Sequence, residues 1–294
     1  MSQSQAWFAA IRPKTLPAAA SPVLVGSALA FQAKGFSVGP AFAALIGALL
    51  IQIGSNLAND VYDFEQGADS PGRLGPLRVT QAGLLSGEEI KRGMRFVFGA
   101  ATLVGLYLTV VAGWPVIVIG IVSILAAIGY TGGPFPLAYN GLGDLFVLLF
   151  FGFVAVCGTA YVQVGVIPSA AWPAGLVVGC LATAILVVNN VRDHESDRVA
   201  GKRTLPVMMG RHFGVSEYGV LMIVAYGTTY AMWWFDAISA WALVSILTLP
   251  IAVVLFLHVR KHRGPILNTT LAQTAKLLFV YSALFSAGVV IGAL

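Results

Sequence analysis

Charged residues are scarce in this chain, and their scarcity indicates its class. Only 10% of the 294 residues are Asp, Glu, Lys or Arg, whereas 58% are hydrophobic. Soluble domains carry about 25% charged residues, so most of this chain must face lipid or neighbouring helices rather than water. The formal charge of +5 is therefore better explained by a membrane setting than by nucleic-acid binding, and no nucleic-acid partner is expected.

Cysteine is also rare. Cys157 and Cys180 lie in separate apolar segments, which excludes a disulfide framework and a zinc spacing and predicts two small buried side chains. We expect no cleavable signal peptide. The segment from Met1 to Ile11 is short and of mixed polarity, and the basic stretch Arg12-Pro13-Lys14 follows it rather than preceding it.

Long hydrophobic runs dominate instead. A helix needs roughly 20 apolar residues, with a range of about 17–25, to cross a hydrocarbon core about 30 Å thick. Nine segments meet this requirement: Leu16–Ala33, Gly39–Asn59, Phe96–Ala112, Trp114–Tyr130, Gly143–Gln163, Trp172–Asn190, Ser216–Phe235, Ala237–His258 and Leu271–Ala293. We therefore predict an all-α integral membrane protein with nine transmembrane helices, forming a single domain over residues 1–294.

The positive charges support this count. If successive loops alternate between the two sides, all 17 Lys and Arg except Lys34 fall on the side of the amino terminus. The positive-inside rule then places the amino terminus in the cytoplasm and the carboxyl terminus outside. Of the acids, only Asp236 lies on the outer side and none lies at mid-span, which favours chemistry at a cytoplasmic mouth over transport.

A polar cluster follows the sixth apolar segment. It reads Asn189-Asn190-Val191-Arg192-Asp193-His194-Glu195-Ser196-Asp197-Arg198, followed by Gly201-Lys202-Arg203-Thr204-Leu205-Pro206. If the helix continues, Asn189, Asp193 and Asp197 share one face. Two carboxylates one turn apart, with Lys202 and Arg203 behind them, are suited to hold a divalent cation together with an anion. For this cluster alone, a solvated loop of mixed charge is the alternative.

A second copy of the pattern follows the second apolar segment. Asn56 precedes Asp60 by four residues, as Asn189 precedes Asp193, and Asp63 comes next. The basic stretch Arg73-Leu74-Gly75-Pro76-Leu77-Arg78 then corresponds to the loop that contains Lys202. This order predicts an internal pseudo-repeat, with segments one to four matching five to eight and segment nine added. In repeated membrane proteins the site commonly lies between the repeats.

The two clusters together suit a diphosphate bound through Mg²⁺. Carboxylates hold the metal, the metal bridges phosphate oxygens, and basic residues neutralise the remaining charge. Arg73 and Arg78 are read equally well as anchors to anionic lipid. Because the site adjoins the hydrocarbon, the other end of the ligand is expected to be a long apolar chain, as in a polyprenyl diphosphate.

At these residues the chain resembles the UbiA superfamily of intramembrane prenyltransferases, and within it the branch that prenylates 1,4-dihydroxy-2-naphthoate. The family motifs Asn-Asp-x-x-Asp and Asp-x-x-x-Asp match Asn59, Asp60 and Asp63, and then Asp193 and Asp197. The further matching stretches are Ala6-Trp7, Arg12-Pro13-Lys14-Thr15-Leu16-Pro17, Tyr130-Thr131-Gly132-Gly133-Pro134-Phe135-Pro136-Leu137 and Gly141-Leu142-Gly143-Asp144. The chain departs from the pattern at Gly67, where many members carry a third Asp.

The resemblance implies a ring of nine helices around a central cavity that opens sideways to lipid. It assigns metal binding to Asp60, Asp63, Asp193 and Asp197, with Asp69 as a further candidate near Gly67, and it adds Lys202 as a catalytic residue. Diphosphate binding is assigned to Asn56, Arg73, Arg78, Asn189, Lys202 and Arg203. Acceptor binding is assigned to Tyr130, Tyr139 and Asn59. Two of the matching residues also have a structural alternative: Tyr130 as a member of the aromatic belt at the membrane interface, and Asp144 as the N-cap of the fifth segment.

The implied reaction transfers a polyprenyl group to 1,4-dihydroxy-2-naphthoate with loss of CO₂ and diphosphate, in the cytoplasmic membrane of a prokaryote. The alternative acceptors are 4-hydroxybenzoate and homogentisate. A phospho-alcohol transferase is disfavoured because the string Asp-Gly-x-x-Ala-Arg is absent. A prenyl-lipid binder without catalysis, or a transporter, is a more distant alternative.

Overall fold

The computed structural model describes residues 1–68 and 74–294, and within these ranges the chain is helical with no strand. Asp69 and Arg73 of the predicted site lie outside the described residues. The α-helices are α1 Gln3–Ile11, α2 Leu16–Gln32, α3 Val38–Glu65, α4 Gly87–Ala112, α5 Pro115–Gly129, α6 Gly143–Val147, α7 Ala155–Val164, α8 Ala171–Val199, α9 Leu205–Met209, α10 Arg211–Trp234, α11 Leu249–Lys261 and α12 Leu267–Ala293.

Several helical segments of the described chain are long and apolar enough to cross a membrane. Seven meet that condition by length and composition: Gln3–Gln32, Val38–Glu65, Gly87–Ala112, Gly143–Val164, Ala171–Val199, Ala240–Lys261 and Gly264–Ala293. Helix α5 is shorter, with 15 residues, and α10 is not among the seven. The all-helical membrane class is therefore confirmed, while the count of nine spans stays a prediction.

The fifth predicted segment is not one regular helix. A π-helical turn, Leu148–Val154, joins α6 to α7. Gly152 in this turn lies against α8, where a Cβ added to it would come within 2.5 Å of the Gly175 carbonyl oxygen. The close approach requires glycine, and the wider turn changes which side chains face inward after it.

The eighth predicted segment also changes conformation part-way. It begins as a 3₁₀-helix, Ala240–Thr248, and becomes α-helical at Leu249. Pro250 lies in the first turn of α11, where its missing N–H group leaves no helical hydrogen bond unmade. The proline therefore favours a new helix start at this point rather than one continuous helix.

The long helices form a ring in chain order. Helix α2 packs against α3 and closes the ring against α12, while α8, the most buried membrane-length helix, packs against α10 and α12. Of the neighbouring helices in the ring, α5 and α7 have the least contact, and we call the boundary between them the seam. Helix α2 also reaches inward to α7, where a Cβ on Gly26 would lie 2.6 Å from the Val156 carbonyl oxygen.

Loops gather at the two ends of the ring. At one end, Gln32 Nε2 donates to the Ala237 carbonyl oxygen at 3.2 Å and Tyr161 Oη donates to the Ala112 carbonyl oxygen at 3.0 Å. The first contact joins the end of α2 to the turn after α10, and the second joins α7 to the end of α4. We call the opposite end, where α3 and α8 terminate, the motif end.

Candidate active site

Two adjoining cavities lie inside the ring. The polar cavity, of about 260 Å³, is at the motif end, and the apolar cavity, of about 490 Å³, runs from it between α2, α3, α4, α5 and α7. The residues that line both are Gln52, Asn59, Tyr130, Val147 and Phe151. The two cavities therefore adjoin, and together they offer a polar site next to an apolar one.

Helix α3 presents Asn59 and Asp63 to the polar cavity. These residues are four apart and so share a helix face. Asp63 is almost fully buried and accepts hydrogen bonds from Tyr139 Oη at 2.7 Å and Lys202 Nζ at 3.1 Å. Its other oxygen pairs with Arg78 Nη2 at 2.5 Å. Asp63 is thus the point at which cations from two separate loops converge.

Asn56 and Asp60, on the same helix, do not line the polar cavity. Asp60 is fully buried and accepts hydrogen bonds from the backbone N–H groups of Val79 and Thr80, at 3.2 and 2.9 Å. Its Oδ2 lies 3.8 Å from Arg12 Nη2. Asn56 donates to the Ile11 carbonyl oxygen at 2.9 Å. The structure does not bring Asn56 or Asp60 to the cavity wall; both attach neighbouring segments to α3.

Helix α8 continues through the second motif, as the sequence predicted, and ends at Val199. Asn189, Asp193 and Asp197 all line the polar cavity. They lie one helical turn apart, so the rigid helix presents two carboxylates and one amide along a single stripe. The expected shared face of these three residues is therefore confirmed.

Arg192 holds this stripe in place, a role that sequence reasoning missed. Its guanidinium binds both oxygens of Asp193, from Nε at 2.7 Å and from Nη2 at 2.5 Å, and it also donates to Asn189 Oδ1 at 2.7 Å. Nη1 donates to Asn268 Oδ1 at 2.6 Å, and Asn268 in turn donates to the Leu74 carbonyl oxygen. A buried arginine requires such partners. The position of Arg192 among acidic residues in the sequence was therefore the signal from which this role could have been predicted.

The loop after α8 separates its two cations. Lys202 lines the polar cavity, bonds to Asp63 and lies 4.6 Å from the centre of the Tyr139 ring. Arg203 is exposed and absent from the cavity wall, and only its backbone N–H joins the same region, by donating to the Tyr139 carbonyl oxygen at 3.0 Å. Of the two diphosphate ligands predicted in this loop, the structure brings only Lys202 to the cavity.

The two tyrosines predicted near the acceptor differ in position. Tyr130 lines both cavities, and its hydroxyl lies beside Gly143, where an added Cβ would be 3.0 Å away. Tyr139 instead lies under Lys202 and donates to Asp63. Asn59 accepts a hydrogen bond from Thr131 Oγ1 at 2.9 Å. Tyr130 is therefore the tyrosine at the boundary between polar and apolar space.

Asp144 does not cap α6, so that alternative reading is wrong. The N-cap is Leu142, and Asp144 lies inside the first turn. Its side chain is 6% exposed and lines the polar cavity, and within residues 1–68 and 74–294 its Oδ1 has no hydrogen-bond partner. A buried carboxylate oxygen without a donor is costly, so this residue belongs among the functional candidates.

The cavity wall carries the donor set that suits Mg²⁺. Carboxylate and amide oxygens are its preferred protein ligands, and they come from Asp63, Asp193, Asp197, Asn59 and Asn189. No three His, Cys, Asp or Glu side chains of the described ranges form a cluster that would hold a metal unaided. Mg²⁺ keeps several waters and takes phosphate oxygens as ligands, so these residues fit binding together with a diphosphate.

Comparison with known proteins agrees with this geometry. The model of the UbiA prenyltransferase family matches residues 19–290. The 1,4-dihydroxy-2-naphthoate octaprenyltransferase of Escherichia coli is 38% identical over 298 residues, covering 98% of this chain and 96% of the relative.

Two solved structures have the same fold. The apo UbiA homologue of Aeropyrum pernix has a TM-score of 0.73 at 14% identity, covering 97% of this chain and 99% of that one. The Archaeoglobus fulgidus UbiA homologue bound to DMAPP and Mg²⁺ has a TM-score of 0.64 at 16% identity, covering 95% and 99%.

Proposed function

Because the chain belongs to the UbiA prenyltransferase family, we propose that it transfers a polyprenyl group from polyprenyl diphosphate to 1,4-dihydroxy-2-naphthoate, releasing diphosphate and CO₂. The observation that carries this proposal is that the two cavities adjoin. A polar chamber with acidic and basic side chains from both motifs shares five lining residues with an apolar one, as a ligand with a polar head and a long apolar tail requires. The relative from Escherichia coli, named for that acceptor, favours it over 4-hydroxybenzoate and homogentisate.

The diphosphate occupies the polar cavity. Arg12, Arg78 and Lys202 supply positive charge on its wall. Lys202 and Arg78 pair with Asp63, and both can turn to phosphate oxygens when the donor binds. Mg²⁺ held by Asp63, Asp193 and Asp197 with Asn59 and Asn189 would supply the charge that stabilises the leaving diphosphate.

Two residues that do not line the cavity have supporting roles. Asp60 ties the segment at Val79 and Thr80 to α3, and this segment carries the adjacent Arg78 toward the cavity. Arg192 orients Asp193 through a bidentate contact. A residue that holds a substrate-binding side chain in position contributes to catalysis, because a small displacement of that side chain lowers the reaction rate.

The acceptor ring lies where the cavities meet. Tyr130 and Phe151 line both of them, so a ring placed there can reach the allylic carbon between the diphosphate and its tail. The ring carbon that carries the carboxylate attacks that carbon, and CO₂ leaves from the product of attack. The polyprenyl tail extends into the apolar cavity toward the seam between α5 and α7.

We also propose that α5 and α10 cross the membrane, making nine spans, and that the motif end faces the cytoplasm of a prokaryotic inner membrane. Lys34 and Asp236, the two charged residues assigned to the outer side, lie in the turns after α2 and α10. The hydrogen bond between Gln32 and Ala237 joins these turns at the end opposite the motifs. This arrangement supports the proposed orientation.

The function is tested with purified protein, Mg²⁺ and one polyprenyl diphosphate. The three aromatic acids are supplied separately, and both prenylated product and diphosphate are measured. We expect product with 1,4-dihydroxy-2-naphthoate and little with the other two. Product from 4-hydroxybenzoate alone would reassign the acceptor, and donor binding without release of diphosphate would exclude an enzyme.

A further inference from the structure

We propose that Asp144 is the base that takes the hydroxyl proton of the aromatic acceptor as the new carbon–carbon bond forms, and that returns it after CO₂ has left. This inference rests on the proposed function. It assigns a catalytic role to a residue outside both acidic motifs, on a helix that carries neither of them.

The first observation is that the Asp144 carboxylate has no charged partner in the part of the chain that the structure describes. Its side chain is 6% exposed, and its Oδ1 has no hydrogen-bond donor among the described residues. Two of the motif carboxylates on the cavity wall are engaged by cations: Asp63 by Arg78 and Lys202, and Asp193 by Arg192. Asp197 forms no ion pair within the described ranges, but it is one of the proposed Mg²⁺ ligands. Asp144 is therefore the cavity-wall acid that is neither paired with a cation in those ranges nor assigned to the metal, so its unpartnered oxygen can accept a hydrogen bond from a substrate hydroxyl.

The second observation is the position of Asp144 along its helix. Val147 lies one turn later and lines both the polar and the apolar cavity, as does Phe151. Asp144 is thus within one helical turn of the boundary where the allylic carbon must lie. Thr183 Oγ1 on α8 donates to the Asp144 carbonyl oxygen at 3.4 Å, which ties this turn to the helix that carries the second motif.

The charges around Asp144 orient the acceptor. Tyr130 and Glu217 on α10 lie close enough to Asp144 to interact with its charge, and Asp193 and Asp197 of α8 line the same cavity. The carboxylate of the acceptor is repelled by these acids and attracted by Arg12 and Lys202 on the same wall. The neighbouring hydroxyl then points toward Asp144, which is short of a hydrogen-bond donor. A donor supplied by the substrate removes the cost of the unpaired oxygen.

The step balances without a further reactant. The bond from the allylic carbon to diphosphate breaks, and its electron pair leaves with diphosphate. The ring carbon bearing the carboxylate forms the new bond, while the adjacent hydroxyl passes its proton to Asp144 and becomes a ketone. The resulting β-keto carboxylate loses CO₂, the electron pair returns to the ring as an enolate, and the enolate oxygen recovers the proton from Asp144.

The test compares wild-type protein, Asp144→Asn and Glu217→Gln by steady-state kinetics across pH. Glu217 is a matched control, because it is a nearby carboxyl with a buried oxygen lacking a partner in the described ranges, yet it lies on neither cavity wall. We expect Asp144→Asn to lower kcat/KM for the acceptor about 100- to 10,000-fold, and Glu217→Gln to change it by less than about threefold.

The pH profile separates proton transfer from a structural effect. In Asp144→Asn the acceptor must lose its proton to water before attack, so log kcat/KM should rise by about one per pH unit below the hydroxyl's own pKa, which is near 10 for a simple phenol. The wild type should lack this rise. Stabilisation by polyprenyl diphosphate in a thermal melt should be equal in all three proteins.

Three results would overturn the role of Asp144: near wild-type activity of Asp144→Asn, a slow variant that keeps the wild-type pH profile, or an equal loss in Glu217→Gln. Wild-type protein that forms no product from the acid would instead contradict the proposed function. The two failures are therefore distinguishable in one set of assays.

Discussion

Lys202 and Arg203 are adjacent in sequence, but the structure gives them different surroundings, and replacing each with Met tests the site directly. Lys202 has a side chain that is 16% exposed, bonds to Asp63 and lies on the polar cavity wall. Arg203 has an exposed side chain outside it. We expect Lys202→Met to impair transfer strongly and Arg203→Met to leave it nearly unchanged. A sequence-based reading assigns both residues to the diphosphate and expects equal losses.

The magnitude follows from what each side chain contacts. A hydrogen bond to a charged group contributes about 1.5–3 kcal/mol, and Lys202 also faces charge that grows on the leaving diphosphate. A loss of about 1.4–4 kcal/mol corresponds to a 10- to 1000-fold lower kcat/KM for the prenyl diphosphate. Arg203 at the surface contributes at most about 1 kcal/mol of attraction to anionic lipid, which does not depend on the transition state.

The assay is steady-state kinetics in detergent or in vesicles, with protein level and thermal stability measured in parallel. The KM for the aromatic acid should move less than kcat in Lys202→Met, because the lost charge acts on the transition state more than on acceptor binding. Methionine keeps most of the apolar stem, so packing against Tyr139 is largely retained.

Equal and large losses in both variants would show that Arg203 reaches the diphosphate in the working enzyme, contrary to the structure. Wild-type kcat/KM in Lys202→Met, with normal folding, would remove Lys202 from the site altogether.

Three further variants or probes test other parts of the structure. Asp193→Ala should lower turnover at least about 100-fold at saturating substrate and Mg²⁺, with Asp236→Ala as the unaffected control; near-normal kinetics would contradict the metal assignment. Asp60→Ala should destabilise the protein by about 1–3 kcal/mol, because two backbone N–H groups lose their acceptor, and an unchanged melting temperature would refute this. Cysteine labelling from outside intact cells should reach a residue beside Lys34 and not one beside Gly201; the reverse pattern would invert the topology.

Local patterns in the sequence predicted the helices and one of the two motif faces. The hydrophobic runs have the length of a membrane span, so the class of the protein follows from composition alone. Residues four apart share a helix face wherever the helix continues, and α8 does continue to Val199. The stripe of Asn189, Asp193 and Asp197 was therefore predictable without knowledge of any other part of the chain.

The first motif was harder to interpret for a physical reason. Asn56 with Asp60 and Asn59 with Asp63 are both amide–carboxylate pairs spaced by four residues, so either pair could face the cavity. Rotation of α3 about its axis decides between them, and that rotation depends on distant partners. Asp60 packs toward Val79 and Thr80, whereas Asp63 meets Tyr139 and Lys202.

The sequence by itself determined that this is a helical membrane protein with two acidic motifs at helix ends, because hydropathy and helical periodicity are properties of neighbouring residues. Only the tertiary structure decided which polar side chains share the cavity. It placed Lys202 inside and Arg203 outside, joined Arg192 to Asn268, and left Oδ1 of Asp144 without a donor within residues 1–68 and 74–294. These outcomes depend on helix rotation and on loops that meet from distant parts of the chain, which no local pattern records.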